Sequence, residues 1–388
     1  MPEFRVSPAR QLAFQILLWV EQGGYAGDLL AARTGRLPAR DAALAEEVVL
    51  GSLRQQSQLD FLIAHFSGRD AAGLDPEVRV ALRLGIYQLR YLDRIPAHAA
   101  VKESVELVKR AGKRSAAGLV NAVLRRVDRR PIAFPDRSLE LSHPAWLLER
   151  WERRYGSEAA AAIARANLRA PETYVRLAEG VAPPEGVKLE ATEVPGCYRL
   201  VGGRPAGLRI QDIGSQAVVG LLDLAPGQRL LDVCAAPGNK TAQALESGAS
   251  VVACDLRLSR LRRMKGLGCA LVAADAAAGL PFARRFERIL LDAPCSGTGT
   301  LARNPEIKWR LKPTKLEELH RLQVRLLRNA LELLAPGGLL VYATCSLEPE
   351  ENEEVVEEVL GGPPARTMRR LPGLQPGDGF YAAVIRSS

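Results

Sequence analysis

The first third of the chain is patterned for helices. Between residues 9 and 20, apolar side chains recur every three to four positions, which is typical of one face of an α-helix. Ser7 and Pro8 precede this stretch and suit the N-cap and the first turn. Because β-branched alternation is scarce, the pattern predicts an all-helical bundle from about residue 7 to 130. Further helices are predicted over 41–53, 76–91, 97–109 and 116–127.

A proline-rich stretch near residue 131 marks a boundary. After it, the spacing of apolar residues predicts two more helices, over 145–155 and 157–168. From residue 172 to 210 the chain is rich in Pro and Gly and contains two short β-like pieces, 174–177 and 198–201. We therefore expect a small, partly β subdomain between the helical part and the last part of the chain.

The pattern changes again near residue 214, where short apolar runs begin to alternate with helical stretches. The longest of these helical stretches covers 315–334. Such alternation predicts an α/β, Rossmann-like domain built on a doubly wound parallel sheet. The predicted division is 1–138 all-helical, 139–213 helical with a small β part, and 214–388 α/β. The strands are expected at 229–234, 250–255, 270–274, 287–292 and 339–344, with another possible at 380–385.

Composition narrows the class of protein. The chain has 388 residues, of which 47% are hydrophobic and 25% charged, as in ordinary globular proteins. It contains no apolar run long enough to span a membrane, and residues 1–5 do not begin a signal peptide. None of the six cysteines forms a CxxC pair, so neither a disulfide framework nor a zinc site is expected. These features predict a cytoplasmic protein without a bound metal.

Positive charge is concentrated in one part of the helical region. The net charge is +9, and nine Lys or Arg residues lie between Lys102 and Arg130 against three acids. Such a cluster suits a polyanion such as nucleic acid, although a solvated helix face explains it equally well. The residues expected to contact phosphate are Lys109, Arg110, Lys113, Arg114, Arg125, Arg126, Arg129 and Arg130.

Two cysteines follow two of the predicted strands. Cys295 lies in the segment 292–299, after the run 289–291, and Cys345 follows the run 339–342. If both runs are parallel strands of one sheet, both sulfurs emerge at its carboxyl edge, where open α/β folds bind ligands. Since thiolates are strong nucleophiles, this pair predicts covalent catalysis. The other four cysteines are interpreted as packing residues.

The first predicted strand leads into a turn of small residues, 232–241. This turn contains neither GxGxxG nor GxxxxGK[ST], so it is not a standard dinucleotide or P-loop turn. A short turn without a pyrophosphate cradle fits an adenosine ligand that lacks phosphates, such as S-adenosylmethionine. Asp255, Asp275 and Asp292 each close a predicted strand. We expect Asp255 to bind ribose, Asp275 the adenine edge, and Asp292 the sulfonium end or the target base.

Three of these segments resemble motifs of the Sun/Nop2 family of RNA cytosine-C5 methyltransferases. They are 232–241, 292–297, and 343–346 with the trailing residues Glu350, Glu351, Asn352 and Glu353. In the helical half, 95–101 and 118–126 resemble the NusB-like RNA-binding domain of bacterial family members. The resemblance extends over nearly the whole chain, although Asn239 stands where Gly is commoner in the family.

The resemblance implies transfer of a methyl group from S-adenosylmethionine to C5 of a cytosine in small-subunit (16S) ribosomal RNA. It implies that Cys345 is the nucleophile and that Cys295 helps to release the product. It also implies a monomer that binds RNA but neither DNA nor a membrane. Transfer RNA as substrate, or a non-catalytic role in ribosome assembly, remains an alternative. The implied cofactor-binding residues are Cys234, Ala235, Ala236, Pro237, Gly238, Asn239, Lys240, Asp255, Asp275 and Asp292.

Overall fold

The computed structural model describes residues 6–178 and 180–387, so residues 1–5, considered above for a signal peptide, lie outside it. Its contacts divide the chain into two compact units. One comprises Met1–Ala170 with Leu301–Arg310, and the other comprises Pro171–Thr300 with Leu311–Ser388. The predicted domain boundaries at 138 and 213 stay a prediction. Across the described residues, no helix has the length and apolar character that crossing a membrane requires.

The first unit is helical, as the apolar spacing predicts. A core that includes Ile16, Leu59, Leu82 and Leu124 packs its helices together. Its helices are α1 (Pro8–Glu21), α2 (Ala26–Arg33), α3 (Ala39–Arg54), α4 (Gln56–Ser67), α5 (Pro76–Tyr91), α6 (Ala97–Arg110), α7 (Ala117–Arg126), α8 (Arg137–Glu140), α9 (Ala145–Tyr155) and α10 (Ser157–Asn167).

Seven predicted helices are present, and their ends differ from the prediction by at most two residues. Pro8 occupies the first turn of α1, as expected. Ser7 stands at the N-cap position, but its hydroxyl donates a hydrogen bond to Glu103 rather than capping the helix. The short segment Leu301–Arg310 also belongs to this unit. There, Trp309 Nε1 donates to the carbonyl of Leu53 at 3.1 Å.

The second unit begins with a small antiparallel sheet. Its strands are β1 (Tyr174–Arg176), β2 (Lys188–Ala191), β3 (Cys197–Gly202) and β4 (Arg209–Ile210), in the order β2-β3-β1-β4. The two β-like pieces expected from the sequence are β1 and β3. The pairings of β2 with β3 and of β4 with β1 complete the sheet.

A seven-stranded sheet forms the centre of the second unit, in the order β10-β11-β9-β8-β5-β6-β7. The strands β5 to β9 are parallel to one another. At one edge, β11 pairs antiparallel with β9, and β10 pairs antiparallel with β11. The five predicted parallel strands are thus confirmed. The strands are β5 (Arg229–Asp232), β6 (Ser250–Asp255), β7 (Ala270–Ala273), β8 (Phe286–Asp292), β9 (Leu334–Thr344), β10 (Arg366–Arg370) and β11 (Phe380–Arg386).

Both faces of the large sheet are covered, so the domain is the doubly wound α/β fold expected from the sequence. Because successive strand side chains point to opposite faces, Leu231 and Leu291 pack on one side and Leu230 and Leu290 on the other. The remaining helices are α11 (Ile213–Gly220), α12 (Asn239–Leu245), α13 (Leu258–Leu261), α14 (Ile307–Arg310, in the first unit), α15 (Pro313–Glu332) and α16 (Glu353–Leu360).

Candidate active site

The two predicted catalytic cysteines lie together at the carboxyl edge of the sheet. Strands β8 and β9 are adjacent and parallel, with Asp292 opposite Ala343. The loops that follow them therefore start side by side. In these loops the Sγ atoms of Cys295 and Cys345 are 3.3 Å apart. Both cysteines are free, and both residues are half-buried.

The backbones of the two cysteine loops are in direct contact. The amide of Gly299 donates to the carbonyl of Cys345 at 2.9 Å. A Cβ atom at position 299 would lie 2.8 Å from that carbonyl oxygen and 2.4 Å from the carbonyl oxygen of Gly379. Only glycine allows this approach, so the pairing of the two thiols depends on a residue without a side chain.

A salt bridge lies at the same edge. Lys240 Nζ is 2.6 Å from Asp292 Oδ2. Burial lowers the pKa of Lys240. The negative charges of Asp292 and Cys345 raise it by more than burial lowers it, so the net shift is upward. Lys240 is therefore a stable ammonium ion paired with Asp292.

The turn after β5 has the features expected of a close-fitting ligand site. Gly238 has φ of +105°, and a Cβ there would lie 3.0 Å from the side chains of Leu267 and Met264. Asp232 is buried at 1% exposure, and its Oδ2 accepts from Thr241 Oγ1 at 2.6 Å. Its Oδ1 has no hydrogen-bond partner among the described residues. Burial raises the pKa of Asp232 to about 7.

The two other acids expected at the cofactor site differ in their surroundings. Asp255 ends β6 and is buried, and its carboxylate accepts from the amides of Ala236 at 3.3 Å and Arg257 at 2.9 Å. Asp255 thus lies against the small-residue turn. Asp275 is exposed and lies two residues beyond the end of β7, where it accepts from the amide of Ala277.

The thiols differ in their electrostatic surroundings. The hydrogen bond with Cys345, burial, and the negative charges of Cys345 and Glu351 together raise the pKa of Cys295 well above that of an ordinary thiol. Burial likewise raises the pKa of Cys197 and Cys254 to about 11 each, which fits their predicted packing role. Cys295 therefore holds its proton at neutral pH when Cys345 is a free thiolate.

Several basic residues between Lys102 and Arg130 have acidic partners, so fewer of their charges are free than the sequence suggests. Lys113, Arg129 and Arg130 pair with Asp75, Asp93 and Asp128, and Lys109 and Arg110 lie near Glu106. Within the described part of the chain, the exposed guanidinium groups that have no acidic partner in this cluster are those of Arg114, Arg125 and Arg126.

Comparisons with known proteins agree with this architecture. Residues 219–368 match the family described as 16S rRNA methyltransferase RsmB/F, and residues 7–129 match the NusB family. The chain is 34% identical to the ribosomal RNA small subunit methyltransferase B of Klebsiella pneumoniae (strain 342), with 97% of each protein covered.

Two solved structures are also similar. The crystal structure of PH0851 superposes with a TM-score of 0.80 at 22% identity and 100% coverage of both chains, which shows the fold. A methyltransferase homologue from Pyrococcus horikoshii has a TM-score of 0.55 at 27% identity, covering 65% of this chain and 97% of its own. Fold and relatives together define an RNA methyltransferase. The chain belongs to the RsmB/F family of 16S rRNA methyltransferases.

Proposed function

We propose that the protein methylates C5 of a cytosine in 16S ribosomal RNA through a transient bond between Cys345 Sγ and C6 of the base. The supporting observation is the pair of thiols 3.3 Å apart beside the Lys240–Asp292 salt bridge. The RNA substrate is taken from the name of the Klebsiella relative. Such a substrate is consistent with the cytoplasmic location expected from the sequence.

The chemistry explains the need for a thiolate. Cytosine C5 is too weakly nucleophilic to attack a sulfonium methyl group directly. Addition of Cys345 Sγ to C6 interrupts the aromatic ring and makes C5 enamine-like, so one difficult step becomes two easier ones. Lys240 places a positive charge at the same edge of the sheet, where it is paired with Asp292.

Lys240 and Asp292 also offer groups for the base itself. Addition at C6 is assisted by a hydrogen bond or proton at N3 of cytosine. An ionised Asp292 can only accept hydrogen bonds, so as a donor it would need a proton. The Lys240 ammonium donates to the Asp292 carboxylate at 2.6 Å and holds it in position. We assign Asp292 to N3 of the base, to which it donates once it is protonated or through a water molecule, and Lys240 to the orientation of Asp292.

Cys295 is assigned to the final step, in which the C5 proton leaves and the bond to Cys345 breaks. Two of the influences that raise the Cys295 pKa, the hydrogen bond and the charge of Cys345, end once Cys345 Sγ is bonded to carbon. Cys295 therefore becomes easier to ionise in the adduct than in the free protein. It can then remove the C5 proton, directly or through a water molecule.

The residues of the β5–α12 turn and the end of β6 fit S-adenosylmethionine. When bound, this cofactor supplies an activated methyl group. The unpartnered Oδ1 of Asp232 offers an acceptor for a donor group, and Gly238 leaves room for a close approach. Asp255 is assigned to the ribose hydroxyls. The other proposed contacts are Cys234, Ala235, Ala236, Pro237, Asn239, Lys240, Asp275 and Asp292.

The helical unit is assigned to the RNA backbone. Arg114, Arg125 and Arg126 are exposed and carry no acidic partner in the described residues, so their charges are available to phosphates. Phosphate contacts of this kind give affinity that falls with rising salt. An unpaired target base costs less to bring into a pocket than a base within a duplex, so a cytosine in a loop is the expected target.

The test is to incubate the purified protein with protein-free 16S RNA and labelled S-adenosylmethionine and to map the modified nucleotide. Cys345→Ala should abolish methylation. Cys295→Ala should accumulate a covalent RNA–protein adduct through Cys345. Cys269→Ala, a partly exposed cysteine outside the thiol pair, is the matched control and should remain active. Full activity of Cys345→Ala, or label in transfer RNA alone, would contradict the proposal.

A further inference from the structure

A single buried carboxylate joins the two cysteine loops. Glu351 is fully buried, with 0% exposure, in the short turn that precedes α16. The residues that follow the two cysteines, Ser296 and Ser346, both donate hydrogen bonds to it. Glu351 is thus bonded to each loop at the position next to its thiol.

The bonds are distributed over both oxygens of the carboxylate. Oε1 accepts from the amide of Ser296 at 2.7 Å and from Gln323 Nε2 at 3.1 Å. Oε2 accepts from the hydroxyl of Ser296 and from the hydroxyl of Ser346. Four donors therefore hold the carboxylate in one orientation, and the carboxylate supports the contact between the hydroxyls of Ser296 and Ser346, whose oxygens are 3.2 Å apart.

Burial raises the pKa of Glu351 more than the hydrogen bonds from Ser296, Ser346 and Gln323 lower it, and the charge of its ionised form has no counter-ion. Its four donors are neutral, and it forms no salt bridge in the part of the chain that the structure describes. A buried carboxylate that serves only to connect two loops would be less costly as a neutral amide. Its negative charge also acts on a neighbouring thiol, because it contributes to the raised pKa of Cys295.

We propose that Glu351 is a positioning residue that ties the two cysteine loops together and so fixes the spacing of the two thiols. This inference rests on the proposed covalent methyl transfer. It gives a structural reason for the division of roles between two otherwise similar cysteines. The negative charge of Glu351, which is bonded to the amide of the residue after Cys295, opposes ionisation of Cys295.

The first measurement needs no RNA. Iodoacetamide alkylation of each cysteine is followed by mass spectrometry as a function of pH in the wild type and in Glu351→Gln. Glutamine keeps the size of the side chain and removes its charge. The midpoint of Cys295 alkylation should therefore move to lower pH in the variant. A purely structural contact would not move this midpoint, provided that the protein remains folded.

The second measurement is methylation kinetics with 16S RNA. Glu351→Gln should lower kcat by about tenfold or more while the KM for RNA changes less than about twofold, because the residue acts on the thiols and not on RNA binding. Glu357→Gln is the matched control, since Glu357 is an exposed acid on the following helix. It should leave both the alkylation midpoints and kcat unchanged.

Two further variants keep the inference open to refutation if Glu351→Gln does not fold. Ser296→Ala and Ser346→Ala each remove one hydroxyl donor and leave the charge in place, so each should lower kcat about threefold or more. An unmoved Cys295 midpoint in folded Glu351→Gln would overturn the proposal, as would full activity of the folded serine variants. If wild-type protein methylates no RNA cytosine, the proposed function fails, whereas the alkylation experiment still tests the link between Glu351 and Cys295.

Discussion

Cys295 Sγ and Cys345 Sγ lie 3.3 Å apart, with neither in a disulfide. A disulfide bond is about 2.05 Å long, so the sulfurs would need to approach each other by only a little over about 1 Å. The short distance that allows a hydrogen bond between the two thiols therefore also makes the pair sensitive to oxidation to a disulfide.

We predict that hydrogen peroxide inactivates the protein by joining these two cysteines. The thiols would lose two protons and two electrons, and one peroxide molecule would become two water molecules. Activity should return with dithiothreitol, and mass spectrometry should find one cross-linked peptide pair. In Cys295→Ala the cross-link cannot form. Inactivation of the wild type without a cross-link would contradict this explanation.

Replacement of Lys240 should affect catalysis more than binding. Lys240→Met removes both the donor that orients Asp292 and the positive charge at this edge of the sheet. We expect methylation to fall by about 100-fold or more, with RNA affinity in a filter-binding assay little changed. Lys265→Met, at an exposed lysine, is the control. Near-normal turnover of Lys240→Met would show that the salt bridge is not part of the chemistry.

The salt dependence of RNA binding should identify the basic residues that contact phosphate. Arg114→Ala and Arg125→Ala should each reduce the slope of log affinity against log salt by about one. Arg129→Ala should reduce it less, because its guanidinium already bonds Asp93 and the carbonyls of Leu89 and Leu92. An unchanged slope in a combined Arg114, Arg125 and Arg126 variant would place the RNA elsewhere.

The sequence predicted most of the architecture because its strands and helices carry strong patterns. The parallel strands of the large sheet are nearly continuous apolar runs, which marks strands covered on both faces. Helix α4 was missed because it starts directly after α3, with only Gln55 between them, and no capping signal separates the two. Strand β10 was missed because it reads Arg-Thr-Met-Arg-Arg, and charge at a sheet edge hides the alternation.

The site was predictable as far as each residue belonged to a motif. Cys295 and Cys345 each follow a recognisable parallel strand, so the sequence alone was enough to place both at one edge of the sheet. The partners of Lys240 and Glu351 could not be predicted in this way, since both depend on contacts between loops far apart in the sequence. The local excess of positive charge was also a poor guide to which basic residues can contact RNA. The acids that neutralise Lys113 and Arg129 lie outside the basic stretch of the sequence.

Lys308 should lower the stability of the helical unit. It is 1% exposed, and its Nζ donates to the carbonyl of Arg54 at 2.8 Å. Burial and the nearby Arg54 charge lower its pKa well below the usual value of 10.5. An unfolded chain therefore binds more protons than the folded one between the lowered pKa and 10.5, so stability rises with pH across that window.

We therefore predict that Lys308→Met raises the free energy of unfolding, by about 1–2 kcal/mol near about pH 6. The gain in stability over the wild type should shrink as the pH rises towards 10.5. At that pH the unfolded wild type also loses the proton from Lys308, so folding no longer has to remove it. All four tryptophans, Trp19, Trp146, Trp151 and Trp309, belong to this unit, so their fluorescence reports its unfolding in urea. Lys312→Met, at an exposed lysine, should change nothing. A Lys308→Met variant less stable than the wild type at every pH would mean that the hydrogen bond to Arg54 outweighs the cost of burying the amine.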